Sequence, residues 1–291
     1  KGQFILGEEV DKFEKNICNL LGVKNCVALN SGTDALVLGL HLLGVKKNHE
    51  VITPPNSFVA STAAIVHLGA IPVFADVNED QNIDVNEIKN KININTKAIM
   101  PVHLSGKPCE MSKMINLSKK YNIPIIEDAA QSIGTKYKNK YVGTFGKVGC
   151  FSAHPLKNLN AIGDSGYLVT NDNVLAKKAR LLRNHGIEKR NKILHFGYVS
   201  RMDNLQAAVL NLRFKNLKKI IKKRRFNAKL YNSYLKKIKN IKIIEEKSLE
   251  FHTYHTYVIL ADKRDKLKKY LEKKGILTTI HYPKLIFEHA A

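Results

Sequence analysis

The sequence predicts an α/β fold: a mostly parallel sheet flanked by helices, followed by a smaller C-terminal α+β unit. Three observations predict it. Over the first two hundred residues short apolar runs alternate with helical stretches, the pattern of strands joined by crossovers. Several of those runs end in a polar residue (Asp76, His103, Asp128, Ser152). That gathers side chains at the strands' C-terminal ends, where open α/β sheets bind ligands. Beyond residue 204 the pattern changes to one long helix and a short strand–helix–strand unit.

The elements follow in order. Asn25–Leu29 reads as a strand and Thr33–Leu43 as a helix with apolar residues at helical spacing. Glu50–Thr53 is a short strand closed by the turn signal Pro54-Pro55-Asn56. Ser57–His67 is helical, Ile71–Val77 and Lys97–His103 are strands, and Met111–Tyr121 is helical. Pro124–Asp128, Gly149–Ser152 and Gly166–Thr170 complete the strands. A long helix with an apolar stripe is expected from about Asn204 to Lys236. His255–Leu260 and Ile276–Ile280 read as strands around a helix from Asp265 to Lys274. The 291 residues therefore divide into a large α/β domain over 1–205 and a linking helix with a small α+β domain over 206–291.

Charge is the compositional oddity. Lys and Arg number 48 against 25 Asp and Glu, a net charge of +23. Nucleic acid is the first partner such a balance suggests. Its distribution argues against that: residues 1–210 carry +8 and residues 211–291 carry +15. The surplus lies on helix faces that are mostly Lys with aliphatics, and the chain has no Trp. What survives is a positive field that would draw in an anionic substrate. No run of eighteen apolar residues exists, so no membrane helix is expected. The N-terminus meets Glu8 and Glu9 before any apolar core of signal-peptide length. Four scattered Cys without a CxxC fit free thiols in a reducing cytoplasm, not zinc or disulfides.

Three segments carry chemistry. Asn30-Ser31-Gly32-Thr33-Asp34 joins a strand to a helix. Its free N–H groups, hydroxyls and positive dipole end can cradle a phosphate, although Ser, Thr and Asp are also ordinary N-caps. Asp128, in Glu127-Asp128-Ala129-Ala130-Gln131, ends a buried strand, where a carboxylate is costly unless paired. One pairing is with a protonated heterocycle, whose nitrogen pKa it raises; capping is the other reading. Gln131 could bond the same ligand. Lys157 lies in an apolar, Pro-containing loop after Ser152, ahead of Gly163-Asp164-Ser165-Gly166. A lysine drawn out of water has a lowered pKa and becomes an amine nucleophile for Schiff-base formation.

Together these segments resemble the pyridoxal-phosphate aminotransferases of fold type I, and within them the DegT/DnrJ/EryC1/StrS family of nucleotide-sugar aminotransferases. Nearly the whole chain takes part. Gly7-Glu8-Glu9-Val10 with Phe13-Glu14, Asn30–Leu36, Asn56–Ser61, Pro101-Val102-His103 and Glu127–Gln131 come first. Phe151–Asn158, Arg183–Gly186, Gly197–Asp203 with Leu205–Ala208, and His281-Tyr282-Pro283 follow in the family's order. The resemblance implies a seven-stranded sheet and pyridoxal 5'-phosphate as cofactor. It makes Lys157 the Schiff-base lysine and proton shuttle, Asp128 the partner of the pyridinium nitrogen and Gln131 a contact to the ring oxygen. It makes Phe58 the stacking aromatic, and Gly32, Thr33 and Ser152 the phosphate cup. No metal is implied. Relatives with His in place of the lysine are sugar dehydratases, so Lys157 argues for transamination. The implied cycle takes an amino group from L-glutamate, releases 2-oxoglutarate and aminates a keto-sugar nucleotide. Motifs around Lys157–Asp164 and Ser200–Ala208 look closer to the branch acting on 3-keto than 4-keto sugars. A cytoplasmic homodimer with its site at the subunit interface is implied, serving surface-polysaccharide or deoxyamino-sugar synthesis.

The chain departs from the family in places. Val199 stands where Asn is commoner in a segment thought to reach the neighbouring subunit's cofactor phosphate, which passes that contact to Arg201 or a backbone group. Ser165 replaces a commoner Gly or Ala. Members usually begin with an extra helix and continue past His-Tyr-Pro, so a fragment is expected. His103, His154, His185, His281 and Tyr282 are left without roles. Two rivals compete. A desulfurase-like use of the same fold lacks a Cys in a credible active-site loop. A regulatory protein that kept the fold and lost turnover is the other.

Overall fold

The computed structural model describes residues 2–290. Helix α1 (Glu8–Leu21) leads into β1 (Asn25–Leu29), α2 (Gly32–Leu42), β2 (Glu50–Thr53), α3 (Val59–Val66) and β3 (Ile71–Phe74). Next come α4 (Val85–Lys91), β4 (Thr96–Ile99), α5 (Met111–Tyr121) and β5 (Ile126–Asp128). A small hairpin of β6 (Lys136–Tyr137) and β7 (Lys140–Tyr141) precedes β8 (Val148–Ser152), β9 (Gly166–Thr170) and α6 (Asn173–Leu182). The hairpin β10 (Ile187–Lys189) and β11 (Lys192–Ile193) leads to α7 (Asn204–Phe214) and α8 (Leu217–Leu235). Strands β12 (Ile241–Ile243), β13 (Glu250–Phe251), β14 (Ile259–Ala261) and helix α9 (Arg264–Lys273) follow.

Two hydrogen-bonded groups of strands, β1-β9-β8-β5 and β3-β2-β4, make the central sheet. Parallel bridges Ile99–Ile125 and Val102–Asp128 join them at the β4–β5 seam. The result is seven strands in the order β1-β9-β8-β5-β4-β2-β3. All run one way except β9, which is antiparallel to both β1 and β8. The expectation of a mostly parallel α/β sheet is met, with one reversed strand.

Alternation along the strands explains how both faces are covered. In β1, Cys26 and Ala28 pack in a core with Phe13 and Ile17 of α1 and Leu210 of α7. Val27 and Leu29 face the other way, into a core with Leu36 and Leu40 of α2 and Leu182 of α6. Helix α1 forms because Val10, Phe13, Ile17 and Leu21 recur at helical spacing and become its buried face. Glu8, Glu9 and Asp11 suit the positive end of its dipole, and Gly22 closes it at φ 68°. Fully burying a side chain such as Phe13 contributes about 1.5–3 kcal/mol.

Three expectations are corrected. The helix foreseen over 204–236 is two helices, broken at Lys215-Asn216, where Asn216 has φ −99° and ψ −4°. Ile276–Ile280 forms no strand, and the expected His255–Leu260 strand starts only at Ile259. Burial explains this: α9 buries none of its residues and 276–279 are exposed, so no apolar face pins a strand there. Residues 245–256 instead run back over the first half of the chain. There β13 pairs with β6, and Lys107 reaches the Glu250 carboxylate and, at 2.8 Å, the Glu245 carbonyl. Among the described residues no helix is long and apolar enough to cross a membrane.

Candidate active site

The C-terminal edge of the sheet collects the side chains of interest. Asp128 ends β5 and Ser152 ends β8, while Gly32 and Thr33 open α2 directly after β1. Phe58 is the N-cap of α3, after β2. Lys157 lies in the loop from β8 to β9, its N–H donating to the His154 carbonyl at 2.8 Å.

Asp128 is 4% exposed. Its Oδ2 accepts the Ser61 hydroxyl at 2.7 Å and its Oδ1 accepts the Ala130 N–H at 3.1 Å. Burial raises its pKa above the usual carboxylate range; Ser61, the Ala130 N–H, Lys157 and His103 oppose that. Lys157 is the mirror case. Desolvation pulls its pKa down, and the charge of Asp128 partly restores it. A partly desolvated amine therefore feels a carboxylate that lacks a full complement of donors. That amine is the nucleophile of the set, and that carboxylate the group best completed by a further cation.

The start of α2 is a tight cradle. The Ser31 hydroxyl accepts the Asp34 N–H at 3.0 Å, while Gly32 and Thr33 present the first-turn N–H groups. A Cβ on Gly32 would lie 2.7 Å from the Ser152 Cβ. One on Gly166 would lie 2.3 Å from the Ser31 carbonyl carbon. Both positions therefore demand glycine. The cradle, the hydroxyl of Ser152 beside it, the desolvated amine and the buried carboxylate fit a group bearing a phosphate, an aldehyde and a basic ring nitrogen, as pyridoxal phosphate does.

The other expected residues divide. Gln131 is buried near this group: its Oε1 accepts the Ser105 N–H at 2.6 Å, and its Nε2 donates to the Tyr282 hydroxyl at 3.4 Å. Phe58 is 54% exposed and its ring lies 6.0 Å from that of Tyr282. Arg201 Nη1 donates to Asn184 Oδ1 at 3.0 Å. Val199 is exposed, bridged through its backbone to Asn184. Ser165 is accommodated by bonding its hydroxyl to the Asp164 carbonyl at 2.6 Å.

Sequence reasoning missed several contacts. Ser61 carried no role, although it bonds Asp128 directly. Tyr282 was left open, yet it meets both Gln131 and Phe58, and burial raises its pKa. Glu127 went unread. Its Oε2 accepts the Gly143 N–H at 2.7 Å and its Oε1 accepts those of Phe145 and Gly146 at 2.7 and 2.6 Å. His103 Nε2 donates to the same carboxylate at 3.0 Å, since its Nδ1 accepts the Cys109 N–H at 3.0 Å. Strand alternation could have separated Glu127 from Asp128; loop N–H donors leave no mark in a sequence. A cavity of about 590 Å³ lies at the opposite edge, beside His49, Asn93 and Pro124, far from these groups.

A sheet of this order, with a desolvated lysine and a buried carboxylate at its C-terminal edge, is the architecture of the pyridoxal-phosphate transferases. The chain belongs to the DegT/DnrJ/EryC1/StrS aminotransferase family, whose profile it matches over residues 1–291. It is a pyridoxal-phosphate-dependent aminotransferase by that membership. It is 39% identical to the UDP-N-acetyl-3-dehydro-alpha-D-glucosamine 3-aminotransferase of Acidithiobacillus ferrooxidans, over 96% of this chain and 76% of that one. It is 38% identical to a Geobacillus stearothermophilus protein named pleiotropic regulatory protein, over 97% and 76%. The S. venezuelae DesV structure with a ketimine intermediate superimposes with a TM-score of 0.97 at 34% identity, covering 100% of this chain and 78% of DesV.

Proposed function

We propose that this chain transfers an amino group from L-glutamate to a keto-sugar nucleotide, with the keto group at C3 rather than C4. The observation that carries the reading is the desolvated Lys157 amine in the field of the buried Asp128 carboxylate, with the Gly32–Ser152 cradle at the same edge of the sheet. The C3 preference is supported by the Acidithiobacillus relative, named for a 3-dehydro sugar. The glutamate donor and the homodimer rest on the family resemblance, the cytoplasmic location also on the scattered cysteines, and the division at residue 205 on the change of pattern along the sequence.

Each residue has a part in this reading. Pyridoxal phosphate supplies the electron sink that stabilises a carbanion beside nitrogen. Asp128 holds the ring nitrogen protonated, and Ser61 and the Ala130 N–H hold Asp128 in place. Gly32, Thr33 and Ser152 take the phosphate at the positive end of α2. Gln131 would meet the ring oxygen and Phe58 would cover the ring face. Lys157 would hold the cofactor through its side-chain amine and, when free, would stand placed to move a proton at the substrate carbon. Arg201, or a backbone group of its segment, would serve the cofactor phosphate of the neighbouring subunit if that contact forms.

The test is spectroscopic. Purified protein with pyridoxal phosphate should absorb in the visible, lose that band in Lys157→Ala, and change spectrum on adding L-glutamate. Protein that takes up no cofactor sinks the reading. A panel of 3-keto and 4-keto sugar nucleotides, with the aminated carbon identified, decides the position. The rival, a regulatory protein that kept the fold, is favoured by the Geobacillus relative's name. It predicts cofactor uptake without any spectral response to amino acids.

A further inference from the structure

We propose that the backbone N–H of Ser105 is a positioning group: it fixes which end of the Gln131 amide faces the cofactor. The inference rests on the reading that Gln131 meets the ring oxygen.

Ser105 lies in a short turn, Leu104–Gly106, and has φ 59° and ψ 7°, a left-handed conformation unusual for a residue with a side chain. The turn is held from several sides. Leu104 N–H donates to Asn82 Oδ1 at 3.2 Å, the Ser132 hydroxyl donates to the His103 carbonyl at 2.6 Å, and the Thr135 hydroxyl donates to the Gly106 carbonyl at 2.7 Å. The Thr256 hydroxyl donates to Ser105 Oγ at 2.8 Å. A Cβ on Gly106 would strike Thr253 Oγ1 at 2.7 Å, so the turn cannot slide. Five residues from three stretches of chain over-determine one strained position, the situation in which such strain persists at functional sites.

The product of the strain is one N–H, aimed at Gln131 Oε1 at 2.6 Å. An amide has an acceptor end and a donor end. Flipping Gln131 would set its NH₂ against that N–H, donor against donor, in a buried site. The fixed end forces the other: Nε2 faces Tyr282, on the side of Phe58 and Asp128. Gln131 therefore meets the ring oxygen as a donor and never as an acceptor. A donor there draws charge from the oxygen and weakens its hold on the Schiff-base proton. The pH midpoint of the cofactor's visible absorbance is then lower than an unoriented amide would leave it.

The experiment measures that midpoint in the holoprotein. Replacing the residue-105 peptide N–H by an ester oxygen, with the serine side chain kept, removes the donor alone. A rise of about one pH unit is expected, and Gln131→Glu, which offers the ring oxygen only acceptors, should raise it at least as far. Ser105→Gly keeps both the N–H and the positive φ and should leave the midpoint in place. A folded ester variant with an unmoved midpoint, beside a shifted Gln131→Glu, overturns the proposal and spares the reading of Gln131. An unmoved midpoint in Gln131→Glu overturns the reading itself. Should the ester variant not fold, Ser105→Pro replaces it, because proline has no N–H to donate whether or not the turn relaxes. An unmoved midpoint there also overturns the proposal.

Discussion

Two carboxylates adjacent in sequence on β5 look into two different regions. Glu127 faces the loop of Gly143 to Gly146 and accepts three backbone N–H groups and a histidine. Asp128 faces the sheet's C-terminal edge and has one hydroxyl, one N–H and a lysine whose charge it feels. The first region is saturated. The second is not, and its carboxylate is held above the usual range by burial. A saturated buried carboxylate fixes a fold, whereas an unsaturated one waits for a partner.

The largest expected effect lies on the unsaturated side. Lys157→Ala should abolish the visible band and lower turnover about 10⁴-fold, the upper end for a positioned proton-transfer group. Asp128→Asn comes next, with turnover down about 10³-fold, as for a lost electrostatic partner. The apoprotein should stay at least as stable, because Asn can keep the Ala130 bond and donate to Ser61 without a buried charge. Glu127→Gln should behave in the opposite way. It sets an NH₂ against N–H donors and should cost about 3 kcal/mol in denaturant unfolding, while whatever folds still binds cofactor. If Glu127→Gln lost the cofactor band at no cost in stability, the contrast between the two carboxylates would collapse.

The smallest expected effect tests the same idea on histidines. Burial pushes both His252 and His255 down to about 3. They are neutral when folded and protonate when unfolded below about 6.5. The unfolded state then binds more protons, so stability is complete above pH 6.5 and falls as pH drops towards 3. Melting temperatures across that window should fall, and less steeply in His252→Asn. A profile identical in that variant removes His252 from the account.

Much of this was legible in the sequence, for identifiable reasons. The strands at 25–29, 148–152 and 166–170 carry apolar side chains on both faces and lie between turn residues, so they read clearly, and Pro124-Ile125-Ile126 announces the strand that ends at Asp128. Lys157 stood out against 47 other basic residues because of its apolar loop. The break at Lys215-Asn216 was hidden, since apolar spacing runs on through Leu212, Phe214, Leu217 and Ile221 with no Gly or Pro between. Helix α1 carried its signal openly, at Val10, Phe13, Ile17 and Leu21, and was not read. The Glu127 cage and the Ser105 turn were beyond reach. Both are made by backbone N–H groups, which every residue but proline possesses.

The reversed strand β9 has one further consequence. Because it returns beside β8, the lysine's loop has both feet on adjoining strands, and Ala153 N–H closes its mouth on the Ser165 carbonyl at 2.7 Å. A parallel neighbour would have required a long crossover instead. Doubling the length of such a loop costs only about 0.6 kcal/mol of closure entropy. The fold would barely register an insertion there, yet the amine would lose its aim. Thermal stability alone does not set where the amine points; the closed mouth of the loop does.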